Sequence, residues 1–181
     1  MIVSPFPGRH SVVLIVLFVS NTCSGGAQRA RQMAGPPHPA RSLTTCDVTR
    51  IVDGDTLVCG EAGRIRLIGI DTPELSQEPA GPLAARALAS MISTGATVSL
   101  EMGVDARDQY GRLLAYIWID STLINWRMIR EGWAVTLTYP PNVRYVDWFT
   151  AAVEAARNDG SGLWATGGFG CLPVDRRRGV C

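Results

Sequence analysis

Asp53-Gly54-Asp55-Thr56 and, a strand's length further on, Arg66-Leu67-Ile68-Gly69-Ile70-Asp71-Thr72-Pro73-Glu74 decide how this chain is read. The first string lies between two short β-prone runs, Val48 to Val52 and Thr56 to Cys59. An Asp-Gly pair between such runs is a strong hairpin signal. Glu61-Ala62-Gly63 turns the chain again, and Arg64 to Ile70 supplies a third strand. The acids therefore fall where strands end or turn. A folding domain gains little from crowding so many carboxylates, so a cation belongs among them. A divalent metal beside a phosphate accounts for the acids and the arginine together.

Working outward, Pro79, Gly81 and Pro82 mark a loop, and residues 83–93 place Ala84, Leu88, Met91 and Ile92 at helical spacing, with Gly95 as a stop. Thr97 to Glu101 alternates as a strand, Asp105 to Gly111 is a polar loop, and Leu113 to Ile119 is a more buried strand. Ser121 is placed to cap a helix ending at Gly132. Phe149, Ala152, Val153 and Ala156 form one apolar stripe on a last helix, stopped by Asn158-Asp159-Gly160. Strands first and helices later predict an α+β domain on a small antiparallel sheet or barrel with about three helices.

At the front, Arg9 and His10 precede an apolar run from Val12 to Val19, then small residues through Ala27. That order predicts a signal peptide over 1–27 and a secreted or periplasmic protein, because the run is far short of the ~20 residues of a membrane span. Residues 28–44 are rich in Pro and Arg and read as a flexible leader, 45–170 as the folded domain, and 171–181 as a tail. Export makes the remaining Cys46, Cys59, Cys171 and Cys181 disulfide candidates. Three pairings are open to them. Proximity in sequence favours Cys46–Cys59, across the hairpin, and Cys171–Cys181, closing a tail loop.

All 17 cationic side chains other than histidine are arginines, set against 16 acids. Residues 45–170 hold 10 arginines and 15 acids, a balance of −5. No bulk positive field draws this domain to nucleic acid. Phosphate binding must come from placed arginines and a bound ion.

Asp55 and Asp71 are the candidate metal ligands. No histidine lies in the domain, which argues against zinc and for calcium or magnesium. Glu74 is placed to act as a general base on water. Arg66 and Arg112 can grip a phosphate and stabilise the charge of its transition state. Each has a plain alternative: a hairpin turn for Asp53-Gly54, an Asx turn for Asp71, a solvated loop for Glu74 and surface packing for the arginines. The plain readings weaken when all must hold at once.

Together IVDGDT, IRLIGIDTPE, DQYGRLLAYIW and LWA resemble the staphylococcal nuclease (thermonuclease) family, in the family's order, across roughly residues 46–166. The resemblance implies a five-stranded oligonucleotide-binding (OB-fold) barrel with three helices. It implies a calcium-dependent phosphodiesterase that acts on DNA and RNA and leaves 3′-phosphate ends. The expected partners are single- and double-stranded DNA and RNA, and the expected state is a monomer. By the same resemblance Asp55, Asp71 and the Thr72 carbonyl bind Ca2+, with Asp53 a possible outer-shell acid. Glu74 falls at the general base, and Arg66 and Arg112 at the phosphate-gripping arginines. Tyr110 and Tyr139 are candidates to stack on a base. A non-catalytic OB-fold module that binds nucleic acid or protein is the alternative, although binding alone has no need of Glu74. The run Arg176-Arg177-Arg178 reads as a solvated tail.

Overall fold

A computed structural model describes residues 1, 37–39 and 43–181, and every element below lies within Gly35–Cys181. The expected signal peptide after Met1 and most of the leader lie outside the described residues. Strands β1 (Thr44–Ile51), β2 (Thr56–Cys59) and β3 (Gly63–Leu67) form an antiparallel meander, with Arg50 opposite Val58 and Leu57 opposite Ile65. Strand β5 (Thr97–Arg107) pairs antiparallel with β1, and β6 (Leu113–Ile119) with β5. The circle then closes where β6 runs parallel to β3, Leu114 opposite Arg66. The five strands make the expected barrel, with this one parallel seam where an all-antiparallel closure was expected.

Several boundaries differ from those expected. The third strand breaks at Ile68-Gly69, where Gly69 takes a φ of +80°, and resumes as the two-residue β4 (Ile70–Asp71). Helix α1 spans Ala80–Met91, so Gly81 and Pro82, read as loop, form its first turn. The first turn tolerates proline because its N–H groups have no intrahelical partner. Strand β5 runs through Arg107, consuming the front of the expected polar loop. Ser121 caps nothing, because the short β7 (Thr122–Leu123) intervenes before α2 (Ile124–Arg130). Strand β8 (Val135–Thr136) pairs with β4, and α3 covers Val146–Asn158. The tail is not free chain: residues Pro173–Arg177 form a short helix α4.

The barrel interior is filled by Leu57, Ile65, Leu67, Val98, Ala115 and Ile117, all fully buried. Phe149, Ala152 and Ala156 of α3, and Ala84, Leu88 and Ile92 around α1, are buried as their spacing predicts. Each large aliphatic side chain so buried contributes about 1.5–3 kcal/mol. Asn125 of α2 joins helix to barrel: it donates to the Ile68 carbonyl at 2.9 Å and accepts from the Ile117 amide at 2.9 Å. The leader is not wholly loose either, since Pro37 is buried and the His38 carbonyl oxygen lies 2.9 Å from the Tyr145 hydroxyl oxygen.

Candidate active site

Two loops bring the acidic strings together. The β1–β2 hairpin presents Asp53 and Asp55, and β4 with the turn after it presents Asp71, Thr72 and Glu74. Gly54 makes the approach possible: a Cβ there would lie 2.8 Å from Thr72 Oγ1 and 2.9 Å from Ala84 Cβ. The glycine read as a turn residue is thus also a spacer-free contact between the two strings. Asp55 Oδ2 accepts from both the amide and the hydroxyl of Thr72, each at 3.1 Å, and Asp55 Oδ1 from Thr56 Oγ1 at 3.1 Å. Asp53 Oδ1 accepts from the Asp55 amide at 3.0 Å.

Arg66 lies between the strings. Its Nη2 is 3.0 Å from Asp55 Oδ2 and 3.4 Å from Asp71 Oδ1, while Nη1 donates to the Leu67 carbonyl at 2.6 Å. The side chain is only 12% exposed, so these are not surface contacts. Glu74 is fixed through its backbone. Its amide donates to Gln77 Oε1 at 2.8 Å, its carbonyl accepts from the Gln77 amide at 2.7 Å, and a Cβ on Gly81 would overlap that carbonyl. Helix α1 therefore packs directly on the turn that carries the candidate base.

The electrostatics reflect this crowding. Burial, then repulsion from Asp55, pushes the Asp53 carboxyl up to about 6. Burial raises Asp71 as well, opposed by hydrogen bonding and charge from Arg177 and by Arg66. The candidate donors, the carboxylates of Asp55 and Asp71 and the carbonyl of Thr72, are all hard oxygens, the type that calcium or magnesium takes. Among the described residues no three His, Cys, Asp or Glu side chains form a ready metal cage. Arginines stand against both oxygens of Asp71 instead.

Arg112 is not in contact with the acids. Its Nε is 2.7 Å from Asp108 Oδ2, and its guanidinium lies 5.5 Å from the Tyr110 ring centre. Arg112 directly precedes β6, two positions before Leu114, which pairs with Arg66. Tyr110 and Tyr139 are 74% and 67% exposed, so neither is a core residue. A cavity of about 380 Å³ nearby is lined by Ser76, Gln77, Glu78, Thr166 and Arg176, and by none of the four acids.

The model of the family described as "Staphylococcal nuclease homologue" matches residues 64–166. The chain belongs to the staphylococcal nuclease family. It is 32% identical over 161 residues to Endonuclease YncB of Bacillus subtilis, covering 82% of this chain and 76% of that protein. The thermonuclease of Staphylococcus intermedius is 34% identical over 125 residues, or 65% of this chain and 74% of the other. The thermonuclease of Staphylococcus hyicus is 32% identical over 128 residues, or 67% and 76%.

Two contacts of this site carry no decisive local signal in the sequence. Arg177, assigned to a solvated tail, places Nη2 2.7 Å from Asp71 Oδ2 and Nη1 2.9 Å from Glu74 Oε1. Asp108 clasps Arg112, and its carboxyl stays below its usual range because Arg112 outweighs the opposing effect of burial. The triple-arginine run was a visible signal for the first, but spacing could not say which arginine turns inward. Cys46 joins Cys59, and Cys171 joins Cys181, in two disulfides.

Proposed function

We propose that this protein is an exported, calcium-dependent phosphodiesterase that hydrolyses DNA and RNA and leaves 3′-phosphate ends. The observation that carries the proposal is the convergence of Asp55, Asp71, Glu74 and Arg66, two strings apart in sequence, at one end of the barrel. Relatives named endonuclease and thermonuclease support a nucleic-acid hydrolase. Export is supported by the apolar run after Arg9 and by the two disulfides.

Asp53, Asp55, Asp71 and Glu74 bring four carboxylates against the two guanidiniums of Arg66 and Arg177. The excess of negative charge favours a divalent cation, held by Asp55, Asp71 and the Thr72 carbonyl. When bound, calcium supplies positive charge that polarises a phosphodiester and offsets the charge it gains on attack. Glu74, at 46% exposure, can orient a water and take its proton. Water oxygen bonds to phosphorus, the P–O5′ bond breaks, and the leaving O5′ takes a proton from solvent. Arg66 has more N–H donors than its present contacts use and offers the rest to phosphate oxygens. Arg112 joins it by exchanging Asp108 for phosphate. Tyr110 and Tyr139, both exposed, are available to stack on bases.

Single-stranded DNA and RNA are incubated with calcium or with chelator, using wild type beside Glu74→Gln and Arg66→Ala. Cleavage should require calcium, leave 3′-phosphate ends and fall about 10²–10⁴-fold in the Glu74→Gln protein. Intact substrates under wild type in calcium would instead favour a non-catalytic binding module. Full activity in Glu74→Gln would remove the role given to that residue.

A further inference from the structure

The C-terminal loop reaches into the acids through a single side chain. Cys171 and Cys181 close the loop, α4 runs inside it, and Pro173 at the helix start is buried. Arg176 turns back on the loop and donates to the Cys181 carbonyl at 3.0 Å, while Arg178 is exposed. Arg177 faces inward, with Nη2 at 2.7 Å from Asp71 Oδ2 and Nη1 at 2.9 Å from Glu74 Oε1.

Both carboxylate oxygens of Asp71 are therefore taken by guanidiniums, Oδ1 by Arg66 at 3.4 Å and Oδ2 by Arg177 at 2.7 Å. The two arginines differ in kind. Arg66 is built into a barrel strand at 12% exposure, whereas Arg177 is 39% exposed on a loop tied by one disulfide. Asp71 itself is buried, but the Arg177 end of the pair is open to water, so the guanidinium can leave without crossing the core. A short tether nevertheless keeps the guanidinium present at an effective concentration on the order of millimolar. A divalent ion at Asp71 and a guanidinium on the same carboxylate repel each other. Arg177 also occupies an oxygen of Glu74, the residue assigned to water.

We propose that Arg177 is a tethered cation that competes with calcium for Asp71 and covers Glu74, so that the C-terminal disulfide loop is displaced when the ion binds. The inference rests on the calcium site of the preceding subsection. Arg177 then acts as a gate: with no ion present it offsets the repulsion among the acids, and ion binding frees Glu74 to engage water.

Calcium titrations by calorimetry on the full chain, stripped of metal beforehand, test this without recourse to activity. If the Arg177-bound form is about 90% of the metal-free population, Arg177→Gln should tighten calcium binding about tenfold. Arg178→Gln removes the same charge from the same loop without touching the acids, and should leave the affinity within about twofold. Arg177→Lys, which keeps a cation, should restore much of the weaker binding. A second measurement needs no variant: amide hydrogen exchange over residues 172–181 of the wild type should quicken when calcium is added. Equal affinity in wild type and Arg177→Gln, or weaker binding in the variant, overturns the gate. So does tail exchange that calcium leaves unchanged. Calcium binding by neither protein, together with no calcium-dependent cleavage, would remove the calcium site and the gate together. Binding by both with equal strength removes the gate alone.

Discussion

Thr72 gives both its amide and its hydroxyl hydrogen to one oxygen of Asp55, 17 positions earlier, each at 3.1 Å. This pair of hydrogen bonds between the strings fixes the orientation of one proposed ligand by the residue whose carbonyl is another. Thr72→Val keeps the amide bond and nearly the same shape while deleting the hydroxyl. Stability should fall by about 1–2 kcal/mol, seen as a lower Tm, because a buried carboxylate loses a donor. Calcium affinity should fall as well. An unchanged Tm would mean that the hydroxyl bond does not support Asp55.

Gly81→Ala tests the seating of Glu74. Alanine favours an exposed helix interior over glycine by about 1 kcal/mol. Here the new methyl would overlap the Glu74 carbonyl, so the backbone of the turn must shift. The turnover rate should drop at least about tenfold, since displacements near 1 Å at a reacting group can cost on the order of 100-fold. A more stable and fully active variant would show that α1 does not set the position of Glu74.

Removing metal should expose the titration of Asp53. Burial and the neighbouring Asp55 raise its pKa to about 6, above the ordinary 3.8. The folded chain then binds this proton more tightly than the unfolded chain does. In chelator, the contribution of Asp53 to stability is therefore fully present below about pH 4 and is lost as pH rises through about 6. In thermal melts across that range, the stability of wild type relative to Asp53→Asn should fall as pH rises. A difference that grows with pH would contradict the crowding of these acids.

Away from the acids, Glu101 is fully buried on β5 and accepts from Tyr145 Oη at 2.7 Å and Trp118 Nε1 at 3.1 Å. Arg144 Nε stands 3.3 Å from its other oxygen. Tyr145→Phe takes one donor from a buried carboxylate and should cost about 1.5–3 kcal/mol in urea unfolding. Its turnover rate should stay close to wild type, because this group lies on a different part of the barrel wall. A large loss of activity at unchanged stability would reverse that assignment.

Much of the barrel was legible because Val48 to Cys59, Arg64 to Leu67 and Leu113 to Ile119 carry strand-type runs bounded by turn residues. Apolar periodicity likewise marked α3 and most of α1. The parallel seam between β3 and β6 was not legible, since periodicity reports which face is buried and not which strands meet. Proline misled at the start of α1, where a residue that breaks helices elsewhere is tolerated. The acids and Arg66 could be read because they sit at strand ends inside specific strings. Arg177 could not, because its reach depends on how the tail folds back, and no local pattern in RRR separates the middle arginine from its neighbours. Asp108 was hidden for a similar reason: only the turn geometry brings it onto Arg112.

The parallel seam also bears on how such an enzyme can change. Arg66 and the approach to Arg112 lie on adjacent strands whose spacing is fixed by the backbone ladder, although β4, α1 and the whole of β5 intervene in the chain. Lengthening or recasting those intervening connections need not alter the span between the two guanidiniums. The fold thereby separates what surface loops can vary from the spacing of the two strands that carry the arginines proposed to grip phosphate, which the seam holds mechanically.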